Sequence, residues 1–215
     1  MPELTLIEKV IVWAIPVVFA ITVHEVAHGW VANQLGDPTA KIKGRLTLNP
    51  IKHVDPIGTV VLPLLLLYAG GFVFGWAKPV PVDWRNLGHP RRDMALVAAA
   101  GPLANLLMLC LWAILAKLLL LFGYPVWIIN MLLMMCGAGI IMNIVLMVLN
   151  LFPLLPLDGG RILTAMLPAR AAQLYSRLEP AGLLILILLL VTGVLGNVLT
   201  PALFAIDAFV HGLIN

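Results

Sequence analysis

His24-Glu25-Val26-Ala27-His28 sets two imidazoles one helical turn apart with a carboxylate beside them. On an α-helix, positions i and i+4 share a face, so both rings can reach a single metal ion. Glu25 then stands next to that ion and can take a proton from water activated there, which is the chemistry of metal-assisted hydrolysis. The same five residues would suit a pair of core histidines satisfied by Glu25, or the two axial ligands of a haem. Haem needs no glutamate at that spacing, and the chain carries no other haem signature. The setting favours the metal: these groups lie inside an apolar run, where ionisable side chains are costly and mark function.

A catalytic zinc site takes a third protein ligand and keeps one position open. Asp158 is the outstanding candidate. It sits in Asn150-Leu151-Phe152-Pro153-Leu154-Leu155-Pro156-Leu157-Asp158-Gly159-Gly160, which is apolar except for Asn150 and Asp158. The prolines unwind a preceding helix and the glycines permit close backbone approach. The competing reading is that Asp158 only caps a short helix over 159–167. His53 and Asp55 are weaker alternatives, because their basic neighbours Lys41, Lys43, Arg45 and Lys52 suggest an interfacial loop.

The elements that must position these residues are membrane elements. Of 215 residues, 62% are hydrophobic and 11% charged, less than half the ~25% charged of a soluble domain, and the mean hydropathy is +1.05. Several apolar runs approach the roughly 20 residues a bilayer span requires. The reading is an all-α polytopic membrane protein, a single domain over 1–215. Its three-helix core covers about 4–34 (kinked at Pro16), 93–122 and 126–152, and a C-terminal helical region covers 180–214, broken around Gly196, Asn197 and Pro201. Gly123-Tyr124-Pro125 reads as a tight turn. Residues 38–83 form a small membrane-associated β-hairpin or re-entrant region: 40–48 alternates like a strand, 56–71 is apolar but short, and 72–83 reads as an extended return. The loops at 35–55, 75–93 and 161–177 are all basic and so belong in the cytoplasm, with the N-terminus outside. Residues 56–74 then begin and end on one side, which demands re-entry against protein or a polar cavity. His24 lies ten residues before Gln34, about 15 Å below the cytoplasmic surface at helical rise. The net charge of +3 is loop charge that sets topology and carries no nucleic-acid footprint. Cys110 and Cys136 lie in apolar runs and read as buried hydrophobes. The first apolar run lacks the pattern of a cleavable signal peptide.

The paired motifs, His24-Glu25-Val26-Ala27-His28 and Asn150-x-x-Pro153-x-x-x-x-Asp158-Gly159, resemble the site-2 protease family of intramembrane metalloproteases, peptidase family M50. The likeness extends to Gly101-Pro102-Leu103-Ala104-Asn105 between them. The compact layout is similar to prokaryotic members without PDZ or cystathionine-synthase-like domains. The resemblance implies one Zn²⁺ per chain, ligated by His24, His28 and Asp158, with Glu25 as general base. It implies substrate or oxyanion contacts for Asn150 and Asn105, and leaves His53 and Asp55 as accessory positions without a derived role. It further implies transmembrane-helix protein substrates, regulated intramembrane proteolysis, and a prokaryotic inner membrane with the site toward the cytoplasm. Two readings from other classes stand beside it. One is a metal or proton transporter using the same residues, which zinc flux in proteoliposomes would reveal. The other is an inactive membrane scaffold, against which the intact Glu25 argues.

Overall fold

The computed structural model describes residues 5–61, 65, 68, 77–121 and 127–214. The turn expected at Gly123-Tyr124-Pro125 and most of the stretch 62–76 lie outside the described residues. Seven principal helices follow: α1 Leu6–Gln34, α2 Pro90–Leu121, α3 Trp127–Asn150, α4 Asp158–Met166, α5 Ala169–Ser176, α6 Glu179–Val191 and α7 Val194–Ile214. Three of them, α1, α2 and α3, are long and apolar enough to cross a membrane, and α5 with α6, bent by 64°, counts as a possible fourth span.

Helix α1 begins with a reciprocal cap: Thr5 Oγ1 accepts from Glu8 N, and Glu8 accepts from the Thr5 backbone. Helix α2 starts at Pro90, three residues before the expected Asp93. Proline suits the first helical position, where an N–H would have no partner, and Asp93 Oδ2 accepts from His89 N at 2.7 Å. The basic pair Arg91 and Arg92 had the look of loop.

The three long helices pack through small residues. Ala20, Ala98, Ala113, Ala116 and Ala138 are buried, whereas Leu103, Leu107, Leu111, Ile114 and Leu118 form one exposed apolar stripe on α2. Leu109, Ile140 and Ile144 are buried as well, but an outward leucine stripe beside buried alanines is the pattern of helices solvated by hydrocarbon, where close backbone approach aids association.

The expected strand over 40–48 is not formed, and no β-strand occurs among the described residues. Thr39–Ile42 is a helical turn and Pro50–His53 a 3₁₀ turn; Pro56–Val61 is a turn of π-helix. Asp37 causes the first of these. Gly36 takes φ +109°, which turns the chain sharply after α1, and Asp37 Oδ1 then accepts from Thr39 N at 3.1 Å and from the Thr39 hydroxyl. Of the apolar positions in the alternation, Ile42 and Leu48 are exposed, so period-2 spacing here never defined a buried face. The break in the C-terminal region falls at Gly193, at φ +74°, not around Gly196 to Pro201; α7 runs through Pro201, as membrane helices tolerate.

Asp37 also fixes the far side of the fold. Its carboxylate accepts from Asp83 N at 2.7 Å and Asn86 Nδ2 at 2.9 Å, so the end of α1 is tied to the segment leading into α2. Burial alone would raise its pKa, but the bonds from Asn86, Thr39 and the Asp83 backbone outweigh it and hold the carboxyl below its ordinary value. A group with a depressed folded pKa contributes stability that is present above the unfolded carboxylate pKa of about 4 and is lost as pH falls through the folded value. Asp37→Ala is therefore expected to lower stability by roughly 2–3 kcal/mol, read as a lower thermal midpoint in detergent. Asp37→Asn should flatten the loss of stability below about pH 4. An acid limb unchanged in Asp37→Asn would remove Asp37 from this role.

Candidate metal centre

His24 and His28 stand on the same face of α1, facing α2. The reason they fit is Gly101. A Cβ there would lie 2.5 and 2.6 Å from His24 Cε1 and Nε2, closer than real contacts come, so α2 can approach the two rings only with a glycine at this position.

The outer nitrogen of each ring is engaged. His28 Nδ1 lies 2.7 Å from the Val97 carbonyl and His24 Nδ1 lies 2.5 Å from Asn105 Oδ1. A carbonyl oxygen only accepts, so both histidines donate from Nδ1 and keep a lone pair on Nε2. This is the orientation that holds metal-binding histidines elsewhere.

The two Nε2 atoms are 3.0 Å apart. Asp158 Oδ2 lies 3.3 Å from His24 Nε2 and 3.4 Å from His28 Nε2. In a neutral ring protonated on Nδ1 the Nε2 lone pair points into this triangle, and Asp158 Oδ2 is a buried oxygen with no hydrogen-bond partner. Three donors at about 2.0–2.1 Å from one tetrahedral ion lie about 3.3 Å from each other, which matches this triangle. Among the described residues it is the one group of three or more His, Cys, Asp or Glu arranged to hold a metal. Two nitrogens and a carboxylate oxygen suit zinc.

Asp158 reaches the triangle because the chain folds back tightly after α3. Gly159 and Gly160 press on the backbone of residues 151–155, with no room for a Cβ at either. The cap of α4 is Leu157, and Asp158 lies inside its first turn, so the reading of Asp158 as a simple cap does not hold.

Glu25 is half-buried, and its Oε2 accepts from Val80 N at 2.7 Å. The segment around Val80 is anchored twice more: Lys78 N donates to the His53 carbonyl at 2.9 Å, and Arg45 donates to the Lys78 carbonyl at 2.8 Å. The other expected positions fall elsewhere. Asn105 is fully buried and stands behind His24, not on an open side. Asn150 donates to the Leu146 carbonyl at 2.9 Å. His53 is buried with Nε2 on the Thr47 carbonyl, and Asp55 Oδ1 accepts from Ile57 N and Gly58 N; neither joins the triangle. Sequence reasoning missed Asn143, whose Oδ1 accepts from Asn105 Nδ2 at 2.9 Å, and Val80, whose contribution is a backbone N–H and leaves no trace in residue type. For Asn143, an amide in the middle of a long apolar helix was the available signal.

Gly101→Ala should displace both rings and weaken metal binding by at least about tenfold, measured as metal per chain by elemental analysis after dialysis against a weak chelator. Leu103→Ala, on the exposed stripe, should leave it unchanged. Full occupancy in Gly101→Ala would mean the rings do not sit where α2 places them.

Comparison with known proteins agrees with this geometry. The profile of peptidase family M50 matches residues 124–193. YwhC of Bacillus subtilis (strain 168), whose name includes the words zinc metalloprotease, is 40% identical over 205 residues, covering 89% of this chain and 85% of that protein. Rip2 of Mycolicibacterium smegmatis, similarly named, is 30% identical over 181 residues, covering 83% of this chain and 66% of that protein. No solved structure matches the chain. With an apolar three-helix core around a His, His, Asp triangle and a relative this similar along most of both lengths, the chain belongs to peptidase family M50.

Proposed function

We propose that this chain is an intramembrane zinc metalloprotease that hydrolyses peptide bonds within or near transmembrane segments of other membrane proteins. The observation that carries the reading is the triangle of His24 Nε2, His28 Nε2 and Asp158 Oδ2, each atom within 3.4 Å of the other two, with Glu25 adjacent on the same helix. His24, His28 and Asp158 hold the zinc. Bound there, zinc polarises the scissile carbonyl and acidifies water. Glu25 takes the proton from the attacking water and delivers it to the leaving amine. The Val80 N–H on Glu25 Oε2 keeps the carboxylate aimed until substrate arrives.

A transmembrane substrate hides its carbonyls in helical hydrogen bonds and must unwind before attack. Residues 77–82 run without helix beside Glu25 and offer an unwound strand something to lie against. Of the two segments expected to do this, 40–48 opens in the helical turn Thr39–Ile42, whereas the described residues of 72–82 are free of helix and donate directly to Glu25. Pro79 and Pro81 have no N–H, so the edge they share offers carbonyls only. An apolar cleft lined by Ala14, Val18, Phe19, Thr22, Leu48 and Pro50 opens along α1 on the N-terminal side of His24 and suits the flank of a substrate helix. Asn105 supports His24, while Asn150, part-exposed near the end of α3, keeps the substrate-side role. The basic loops support an orientation with the N-terminus outside and the site within reach of cytoplasmic water, and we read the chain as one domain in a prokaryotic inner membrane.

Glu25→Gln should reduce cleavage of a transmembrane peptide in detergent or liposomes by about 10³-fold or more, since the base is lost, with zinc content and helicity retained. Wild-type turnover in that variant would end the mechanism. Asp158→Ala should lose zinc. An unchanged stoichiometry would remove Asp158 from the ligand set.

A further inference from the structure

The polar chain behind His24 does not stop at Asn105. Asn143, on α3, accepts from Asn105 Nδ2 through its Oδ1 at 2.9 Å and donates from its own Nδ2 to the Gly139 carbonyl at 2.8 Å. Both asparagines are fully buried, so neither touches substrate or water. The result is a line of hydrogen bonds through three helices: His24 on α1, Asn105 on α2, Asn143 and Gly139 on α3.

That line has a direction. An isolated buried asparagine can present either end of its amide, and the ends differ only in which is donor and which acceptor. Here the far end is a backbone carbonyl, which only accepts. Asn143 must therefore turn Nδ2 toward Gly139 and Oδ1 toward Asn105. Asn105 must then turn Nδ2 toward Asn143 and Oδ1 toward His24, and His24 must carry its proton on Nδ1. Reversing any amide sets donor against donor or acceptor against acceptor in a medium with no water to repair it. The fixed polarity of one peptide carbonyl thus decides which nitrogen of His24 faces Asp158 with a lone pair.

We propose that Asn143 is a positioning residue for the metal centre: acting through Asn105, it sets the tautomer of His24 that leaves Nε2 free to bind zinc. Simple glue between α2 and α3 would give stability without affecting the tautomer. The relay gives both. Without Asn143, Asn105 can present either amide end, and either tautomer of His24 finds a partner.

The proposal rests on the reading of His24 as a ligand, and the experiment separates the two. Asn143→Ser is the test variant. Its hydroxyl can bond back to the Gly139 carbonyl, as Thr164 does to Gly160, but is too short to hold Asn105. Metal-free protein labelled with ¹⁵N-histidine is examined in micelles by long-range ¹H–¹⁵N correlation, and zinc affinity is measured by competition with a chelating dye. Wild type should show His24 protonated on Nδ1 alone. Asn143→Ser should add a His24 signal protonated on Nε2 and bind zinc about 10–100-fold more weakly, with His28 signals and helicity unchanged. The double variant Asn105→Asp, Asn143→Ser should recover both, because a carboxylate accepts from Nδ1 in either orientation. A single Nδ1-protonated His24 with wild-type affinity in Asn143→Ser overturns the proposal, and so does a double variant that recovers neither. His24→Ala is the control for the underlying reading. If it keeps its zinc, the ligand assignment fails; if it loses zinc while Asn143→Ser does not weaken binding, the relay alone fails.

Discussion

An apolar interior cannot solvate a proton in the wrong place, and this constraint shapes the chain around residue 24. Two imidazoles and a carboxylate can share an ion only if all three lone pairs face one point, which means that both ring protons must face away. In water any donor or acceptor would serve on the outer side. Here each Nδ1 needs a designated carbonyl, from Val97 and from Asn105. Both lie on α2, so α2 must come very close to α1. Gly101, where a Cβ would meet both rings, is the local consequence. The leucines displaced from that interface form the outward stripe, at no cost in hydrocarbon.

The third lone pair imposes a second condition. Asp158 follows α3 by only a short turn, yet must point back under α1. A helix running straight on from Asn150 would carry it away, so the backbone stops at Leu151 and doubles over residues 152–157. Gly159 and Gly160 then lie against that turn where no side chain fits. Proline and glycine in this stretch serve the same end: one ends α3, the other lets α4 start in contact with the turn it has just left. On the opposite side of the site, Pro79 and Pro81 cannot donate hydrogen bonds, while Lys78 and Val80 between and before them donate to the His53 carbonyl and to Glu25. An extended segment with one donor edge spent on its own protein cannot join a ladder there, which explains why the expected hairpin is absent from the described residues while the segment still lies beside the candidate base.

What the sequence made legible follows from where chemistry is expensive. His24, Glu25, His28 and Asp158 could be singled out because ionisable groups in apolar runs need a reason, and the i, i+4 spacing of a helix gives the histidines a common face without tertiary information. The three long helices were legible from their apolar length. Residues 40–48 were misread because period-2 alternation signals a strand only when one face is buried, and here Asp37 had already committed Thr39–Ile42 to a helical turn. The start of α2 was hidden because Pro90, Arg91 and Arg92 look like loop unless the capping by Asp93 is known. Gly196, Asn197 and Pro201 suggest a C-terminal break from residue type, yet a membrane helix tolerates all three, and Gly193 at positive φ is what turns the chain. Asn105 could be picked from its motif but not given its side: a pattern reports that an amide is present, not whether it faces substrate or a neighbour. Asn143 and Val80 were invisible because their roles exist only once α3 and the 77–83 segment have been placed.

The same geometry couples metal to fold. A neutral ring protonated on Nδ1 leaves its Nε2 lone pair facing inward, so the two Nε2 atoms at 3.0 Å and the buried Asp158 oxygen present three donors to one point. The arrangement persists because the surrounding bonds come from different helices: Val97 and Asn105 on α2 and Asn143 on α3 hold the rings, while the glycines of α4 hold the carboxylate. A cation held in the triangle would offset the mutual repulsion of its three donors. Because the candidate ligands come from α1 and α4 and their supports from α2 and α3, an ion held there would link four elements at once.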